Sequence, residues 1–169
     1  MTLAELHNDL RDFATGALSP SELTDKLQAE ITDNMVELSL PGGPLDASVA
    51  EQLLARLIFH FEDLGKDLLE RQQQARILVA ALDTFAPGVV LELLPWLFTK
   101  ERLVEVVEKY QAGVVSRTNL VAAVSSAQLP STLQRWLYAA STGDLAQFAE
   151  CVRKNDLRRL QRLTGLAAA

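Results

Sequence analysis

The residues able to do nucleophilic or metal chemistry are few in this chain of 169 residues, which has one cysteine and two histidines. Nucleophilic catalysis by Ser or Cys requires a nearby His and an orienting acid. Cys151 falls on the apolar side of a predicted helix, with Leu145, Phe148 and Val152, so we expect a buried structural thiol. The Gly-x-Ser-x-Gly pattern of a nucleophile elbow does not occur in the sequence.

His60 is better placed than His7 for metal or acid–base chemistry, because Asp63 follows it by three residues. On a helix this spacing puts both side chains on one face, which is half of a metal site. A second such pair is missing, since His7 has Arg11 and not an acid four residues later. We therefore predict a surface or boundary histidine near carboxylates, and no metal site.

The sequence also gives little support for a phosphate-binding loop or for glycoside hydrolysis. Pro41-Gly42-Gly43-Pro44 lacks the Lys and Ser or Thr that complete a phosphate-binding loop. A small helical chain with few aromatic residues is a poor host for the paired carboxylates of glycoside hydrolysis. We predict that the protein is not an enzyme and uses no cofactor.

Helices must position these residues, because the helix formers Leu and Ala supply 31 and 22 of the positions. Capping boxes at Thr2-Leu3-Ala4-Glu5 and Ser19-Pro20-Ser21-Glu22 predict the starts of the first two helices. Apolar residues recur at helical spacing along most of the remaining chain, and we find no convincing strand. The sequence predicts an all-α fold, a compact bundle or orthogonal array of about 8–10 short helices around one core.

The length predicts a single all-helical domain over residues 1–169. A Pro/Gly loop at 38–47 leaves open a subdivision in which 1–37 is a helical hairpin. Gly65 either ends the helix that Ser48 begins or lies inside one helix that continues to Thr84. A lone Gly costs only about 1 kcal/mol relative to Ala, so both alternatives remain.

One local pattern occurs twice, at residues 12–19 and 109–116: an aromatic residue, a Gly three positions later, an aliphatic residue, and a Ser cap. This order predicts two tight corners between helices, with an ancient duplication as the alternative. The first corner and its helices are similar to the N-terminal helix pair of several small helical bacterial immunity proteins. The likeness consists of capping and core positions, so it implies no binding residue.

The net charge of −6 is unevenly distributed along the chain. Residues 1–70 carry 14 acids and 4 bases, whereas residues 71–169 carry 8 acids and 12 bases. This polarity fits a basic tail that packs near the acidic half or simply faces solvent. It also fits an acidic surface that attracts a basic partner. The candidate partner-binding residues are Asp9, Asp12, Asp25, Asp33 and Glu37.

We therefore predict a non-catalytic helical protein, of inhibitor, immunity or adaptor type, that binds a basic protein through its acidic N-terminal surface. One alternative is a structural or accessory subunit of a multiprotein assembly, anchored by Trp96, Leu97 and Phe98, and a homo-oligomer stays open. Another is a helix-turn-helix nucleic-acid binder, which the acidic net charge disfavours. Its basic patch would consist of Arg153, Lys154, Arg158, Arg159 and Arg162.

A cytoplasmic location is the expectation from the same residues. The segment from Met1 to Phe13 has neither the basic start nor the apolar run of a signal peptide. The longest apolar stretch, Val89 to Phe98, is about half the length that a membrane-spanning helix needs. A lone cysteine fits a reducing compartment, and we predict no membrane partner.

Overall fold

The computed structural model describes residues 1–32, 48–62 and 67–169, and the description that follows concerns these residues. Segment 38–47, which was predicted to be a Pro/Gly loop, lies outside them, as do the candidate residues Asp33 and Glu37, and Asp63 and Gly65. Whether one helix continues through Gly65 is therefore still a prediction.

The predicted all-α class is confirmed, with ten helices and no strand in the described part of the chain. The chain divides into two compact units, Met1–Asp83 and Thr84–Ala169, which we call unit 1 and unit 2. This boundary differs from the predicted subdivision at 38–47. The prediction of one domain over 1–169 is not tested by the division.

Unit 1 contains four helices in the part of the chain that the structure describes, and the first three start at predicted caps. They are α1 (Leu3–Thr15), α2 (Pro20–Glu30), α3 (Val49–Glu62) and α4 (Leu68–Thr84). Thr2 and Ser19 each accept a hydrogen bond from the backbone N–H three residues later, and that residue's carboxylate accepts one from the cap. Ser48 and Glu51 form the same reciprocal pair before α3. Each box satisfies donors that the first helical turn leaves open.

The core of unit 1 is formed by the apolar faces of α1, α2 and α3. Phe13 and Phe61 meet edge to face, with ring centroids 5.6 Å apart. The guanidinium of Arg71 on α4 lies 5.8 and 5.6 Å from these two ring centroids, within the range of a cation–π interaction. The side chains buried with them include Leu6, Leu10, Leu23, Leu27, Leu53 and Leu57.

Unit 2 contains six helices of 8 to 12 residues. They are α5 (Pro87–Leu97), α6 (Lys100–Gln111), α7 (Arg117–Ser126), α8 (Ser131–Ala139), α9 (Thr142–Arg153) and α10 (Leu157–Thr164). Trp96 lies in the core of this unit and stacks on Phe148, with ring centroids 6.2 Å apart. Short backbone bonds join the two ends of the unit, from Ala86 N to Ala167 O and from Ala169 N to Thr84 O.

The two predicted corners have the same backbone geometry, one in each unit. Gly16 and Gly113 both adopt the left-handed conformation, with φ of 84° and 75°. In each corner the two residues after the glycine donate to one carbonyl, that of Asp12 or Lys109. Ser19 and Ser116 then cap the next helix. The repeated sequence pattern therefore predicted a repeated structure.

Two local details differ from what the sequence pattern suggests. Residues 131–134 have the Ser-x-x-Gln pattern of a capping box that begins at Ser131, but Pro130 occupies the capping position and α8 has no side-chain cap. A proline inside a helix removes a backbone hydrogen bond and favours a break, but α5 continues through Pro95 to Leu97. Within the described part of the chain, no helix combines the length and apolar character needed to cross a membrane.

Candidate protein-binding surface

The corner between α1 and α2 brings several of the predicted acidic residues around one lysine. Asp9 Oδ1 accepts a hydrogen bond of 3.0 Å from Lys26 Nζ. This bond raises the pKa of Lys26, and the charges of Asp9, Asp12 and Glu22 raise it further. Three carboxylates thus act on a single cation, so this face of unit 1 retains negative charge.

Asp12 and Asp25 are the most available of the predicted acids. Both side chains are exposed, and neither forms an ion pair with any residue that the structure describes. Asp9 is different, because its carboxylate is only 14 % exposed and is partly neutralised by Lys26. We call Asp9, Asp12, Glu22 and Asp25 the acidic surface of α1 and α2.

Glu22 belongs to this surface although it was read from the sequence only as a capping residue. Its Oε2 accepts a 2.8 Å hydrogen bond from Ser19 N, and this bond lowers the pKa of the carboxyl group. Glu5 is held ionised in the same way by the backbone N–H of Thr2. The capping boxes therefore also supply fixed negative charge, and this was the signal that could have identified Glu22.

A shallow cleft of about 460 Å³ lies beside the acidic surface, between the start of α1 and the end of α2. Glu5, Asn8, Asp9 and Lys26 contribute to its lining. Glu5 and Asp9 place carboxylate oxygens at the wall of this cleft.

His7 has a carboxylate partner that its sequence neighbours do not reveal. Its Nε2 lies 2.9 Å from Oδ1 of Asp83, at the end of α4, and its Nδ1 lies 3.5 Å from a guanidinium nitrogen of Arg11. The pair joins the first and last helices of unit 1. His60, the favoured histidine in the sequence, is half-buried near the end of α3.

The predicted basic patch is largely neutralised by acids of its own unit. Arg153 Nε donates to Glu108 at 2.8 Å, which raises the pKa of the arginine. Lys154 and Arg159 share Glu150, at 2.8 and 3.4 Å. The two remaining members, Arg158 and Arg162, are exposed on α10 and form no ion pair with the described residues.

Burial determines whether the remaining candidates, Cys151, Trp96 and Leu97, can react or contact a partner. Cys151 is 1 % exposed, as expected for a structural thiol, and desolvation raises its pKa, which keeps it in the unreactive thiol form. Trp96 and Leu97, the candidate anchors of the accessory-subunit alternative, lie in the core of unit 2 at 1 % and 0 % exposure. They are therefore not available to a partner.

The described residues contain no group of three His, Cys, Asp or Glu side chains that could hold a metal ion. No family model matches this chain, and no curated protein or solved structure matches it either.

Proposed function

We propose that this protein is a non-catalytic binding protein that attaches to a basic protein partner through the acidic surface of α1 and α2. Its role would be that of an inhibitor, an immunity-type protein or an adaptor. The observation that carries the proposal is the acidic surface beside Lys26, where Asp9 is bonded to the lysine and the exposed Asp12 and Asp25 form no ion pair with the described residues.

Such a surface acts first on the rate of association. Clustered charges of one sign attract an oppositely charged protein over a distance of about 10 Å at ordinary ionic strength. Exposed carboxylates such as Asp12 and Asp25 can then pair with basic side chains of the partner and set its orientation. Because Glu22 is fixed by its cap, it adds charge to this surface without losing side-chain freedom on binding.

The charge arrangement favours this proposal over the nucleic-acid alternative. DNA affinity scales with the number of phosphates that Lys and Arg neutralise. Three of the five predicted basic residues are already paired with Glu108 or Glu150, which leaves Arg158 and Arg162. The accessory-subunit alternative loses Trp96 and Leu97 as anchors because they are core residues.

The proposal can be tested by reversing charges on the acidic surface. The double variant Asp12→Lys/Asp25→Lys changes two exposed side chains that make no ion pair with the described residues. Each protein is immobilised and exposed to an extract of its native host, and the retained proteins are quantified by mass spectrometry. We expect a basic protein to be retained by the wild type and reduced at least about tenfold on the variant, with release at high salt.

Glu92→Lys/Glu105→Lys is the matched control, because both residues are exposed acids of unit 2 and the change in net charge is the same. This control should retain the same basic protein as the wild type. Equal retention on all three proteins, or no basic protein on any of them, would overturn the proposal.

A further inference from the structure

The two corners lie in longer segments that correspond residue by residue. Residues 1–32 contain α1, its corner and α2, and residues 98–129 contain α6, its corner and α7. We call them corner segment 1 and corner segment 2. In corner segment 2 the two helix starts and the corner glycine lie 97 positions after their counterparts. The counterparts are Leu3 and Lys100, Gly16 and Gly113, and Pro20 and Arg117. Each position of one segment therefore has a defined counterpart in the other.

The buried positions of the two corner segments agree as well. Four positions at helical spacing are apolar and buried in both segments. They are Leu6, Leu10, Leu23 and Leu27 in corner segment 1, and Leu103, Val107, Leu120 and Val124 in corner segment 2. A tight turn between two helices fixes only the residues next to its glycine. Agreement along both helices therefore indicates a shared scaffold that is larger than the corner.

Each corner segment also forms a cleft at the same place, between the start of its first helix and the end of its second. The volumes are about 460 Å³ in corner segment 1 and about 420 Å³ in corner segment 2. Five equivalent positions contribute to both linings. They are Glu5, Asp9, Lys26, Ala29 and Glu30 in corner segment 1, and Arg102, Val106, Ala123, Ser126 and Ala127 in corner segment 2. The cleft is therefore kept, although only one of the four charged positions is still charged.

The exposed positions, in contrast, differ in charge. Residues 1–32 carry 6 acids and 2 bases, whereas residues 98–129 carry 3 acids and 4 bases. Three exposed acids of corner segment 1 have exposed counterparts that are not acidic. The pairs are Asp12 and Lys109, Glu22 and Asn119, and Asp25 and Ala122. Since corner segment 2 forms the same corner, core positions and cleft without these acids, the scaffold does not require them in corner segment 1.

We propose that the chain contains two copies of one helix–corner–helix module, and that Asp12, Glu22 and Asp25 are the specificity-determining residues of the first copy. This assignment rests on the proposed function, because the partner is the basic protein that the acidic surface attracts. Exposed positions that a scaffold does not need are free to serve recognition, and the positive charge of Lys109 repels the same partner. The second copy therefore has the scaffold of the first and not its preference for a basic protein.

The experiment exchanges the three pairs within the full chain, which keeps the net charge at −6. The substitutions are Asp12→Lys, Glu22→Asn, Asp25→Ala, Lys109→Asp, Asn119→Glu and Ala122→Asp. The ¹⁵N-labelled wild type and this exchange variant are titrated with an octalysine peptide at low salt, and the backbone amide shifts are followed. We expect saturable shifts on α1 and α2 of the wild type. In the exchange variant, binding there should weaken at least about tenfold, and saturable shifts should occur on α6 and α7 instead.

The matched control is Glu70→Lys/Arg135→Glu, which exchanges two exposed charges outside both corner segments and should bind octalysine on α1 and α2 like the wild type. Shifts that stay on α1 and α2 of the exchange variant, or that the control also loses, would overturn the assignment of the three residues.

Thermal unfolding tests the shared scaffold separately from binding. Each change in one copy is reversed in the other, so we expect the Tm of the exchange variant within about 3 °C of the wild type. A larger fall would show that the exchanged residues belong to the scaffold and would contradict the proposal. If octalysine does not shift α1 and α2 of the wild type, then the proposed function and the assignment of the three residues both fail. The Tm comparison still decides whether the two copies share a scaffold.

Discussion

At the residue scale, burial separates side chains that the sequence presents as alike. Lys100 is the clearest example, because this charged residue is only 2 % exposed. Its Nζ donates to the carbonyl of Leu97 at 3.2 Å and lies 3.8 Å from a carboxylate oxygen of Glu101. Desolvation nevertheless dominates, so the pKa of Lys100 lies below its ordinary value.

Because the pKa of Lys100 is lowered, we expect this residue to contribute more to the free energy of unfolding at alkaline pH. As the pH rises toward the ordinary lysine pKa of 10.5, the folded protein releases the proton before the unfolded chain does. The unfolded chain then binds more protons, so the free energy of unfolding contributed by Lys100 increases with pH. The free energies of unfolding of the wild type and of Lys100→Met can be measured in urea between pH 7 and 10. We expect the wild type to gain stability relative to the variant as the pH rises. A difference independent of pH would contradict this.

Gly16 provides a second prediction at this scale, because its φ of 84° suits glycine and strains other residues. Although a Cβ at Gly16 meets nothing within 4 Å, Gly16→Ala should lower the free energy of unfolding by about 1 kcal/mol. Gly143 is the control, since it lies in the first turn of α9 without a positive φ. Gly143→Ala should be neutral or slightly stabilising in thermal unfolding. Equal losses in both variants would show that backbone conformation is not the cause.

At the scale of elements, capping signals predicted several helix starts, because a cap depends on residues three positions apart. Ser19 and Ser116 accept from the backbone as predicted, and Ser141 does the same although no cap was predicted there. Ser131 fails because Pro130 precedes it in an extended conformation and becomes the capping residue itself. Residues close together in sequence therefore predict that a segment is helical. The first residue of that helix depends in addition on the conformation of the turn before it.

This difference between serines predicts a difference in stability. Ser116→Ala removes an acceptor from the N–H of Asn119 and should cost about 1 kcal/mol. Ser131→Ala, in the same unit, removes no capping bond. It should lower the free energy of unfolding by no more than a few tenths of the loss in Ser116→Ala. Chemical denaturation of the two variants gives the comparison. If Ser131→Ala is as destabilising as Ser116→Ala, then the assignment of the α8 cap is wrong.

At the scale of the whole molecule, the chain forms two compact units, and their boundary was not visible as a sequence signal. The predicted subdivision followed the Pro/Gly-rich segment at 38–47, which is a sound local rule for loops. The boundary between the two compact units falls between Asp83 and Thr84, at the end of α4, and the subdivision at 38–47 stays a prediction. Composition marks loops, but only long-range packing shows which helices share a core.

Unit 2 should therefore fold as a fragment of residues 84–169. It has its own core around Trp96 and Phe148, and backbone bonds at Thr84 and Ala86 close its two ends. We expect a helical circular dichroism spectrum and a cooperative thermal transition. A fragment of residues 100–169 lacks α5 and Trp96 and should lose the transition. If both fragments behave alike, or if 84–169 melts without cooperativity, then unit 2 does not fold independently.

The sequence by itself determined the all-α class, the paired corners at Gly16 and Gly113 and the burial of Cys151, because these depend on residues within a few turns of each other. It also showed the charge polarity, which supports the proposed acidic surface. Only the tertiary structure decided which charges are already paired, such as Arg153 with Glu108, 45 residues away. It also revealed the partner of His7, Asp83, 76 residues away. These features join residues far apart in the chain, and helical periodicity carries no information about such pairs.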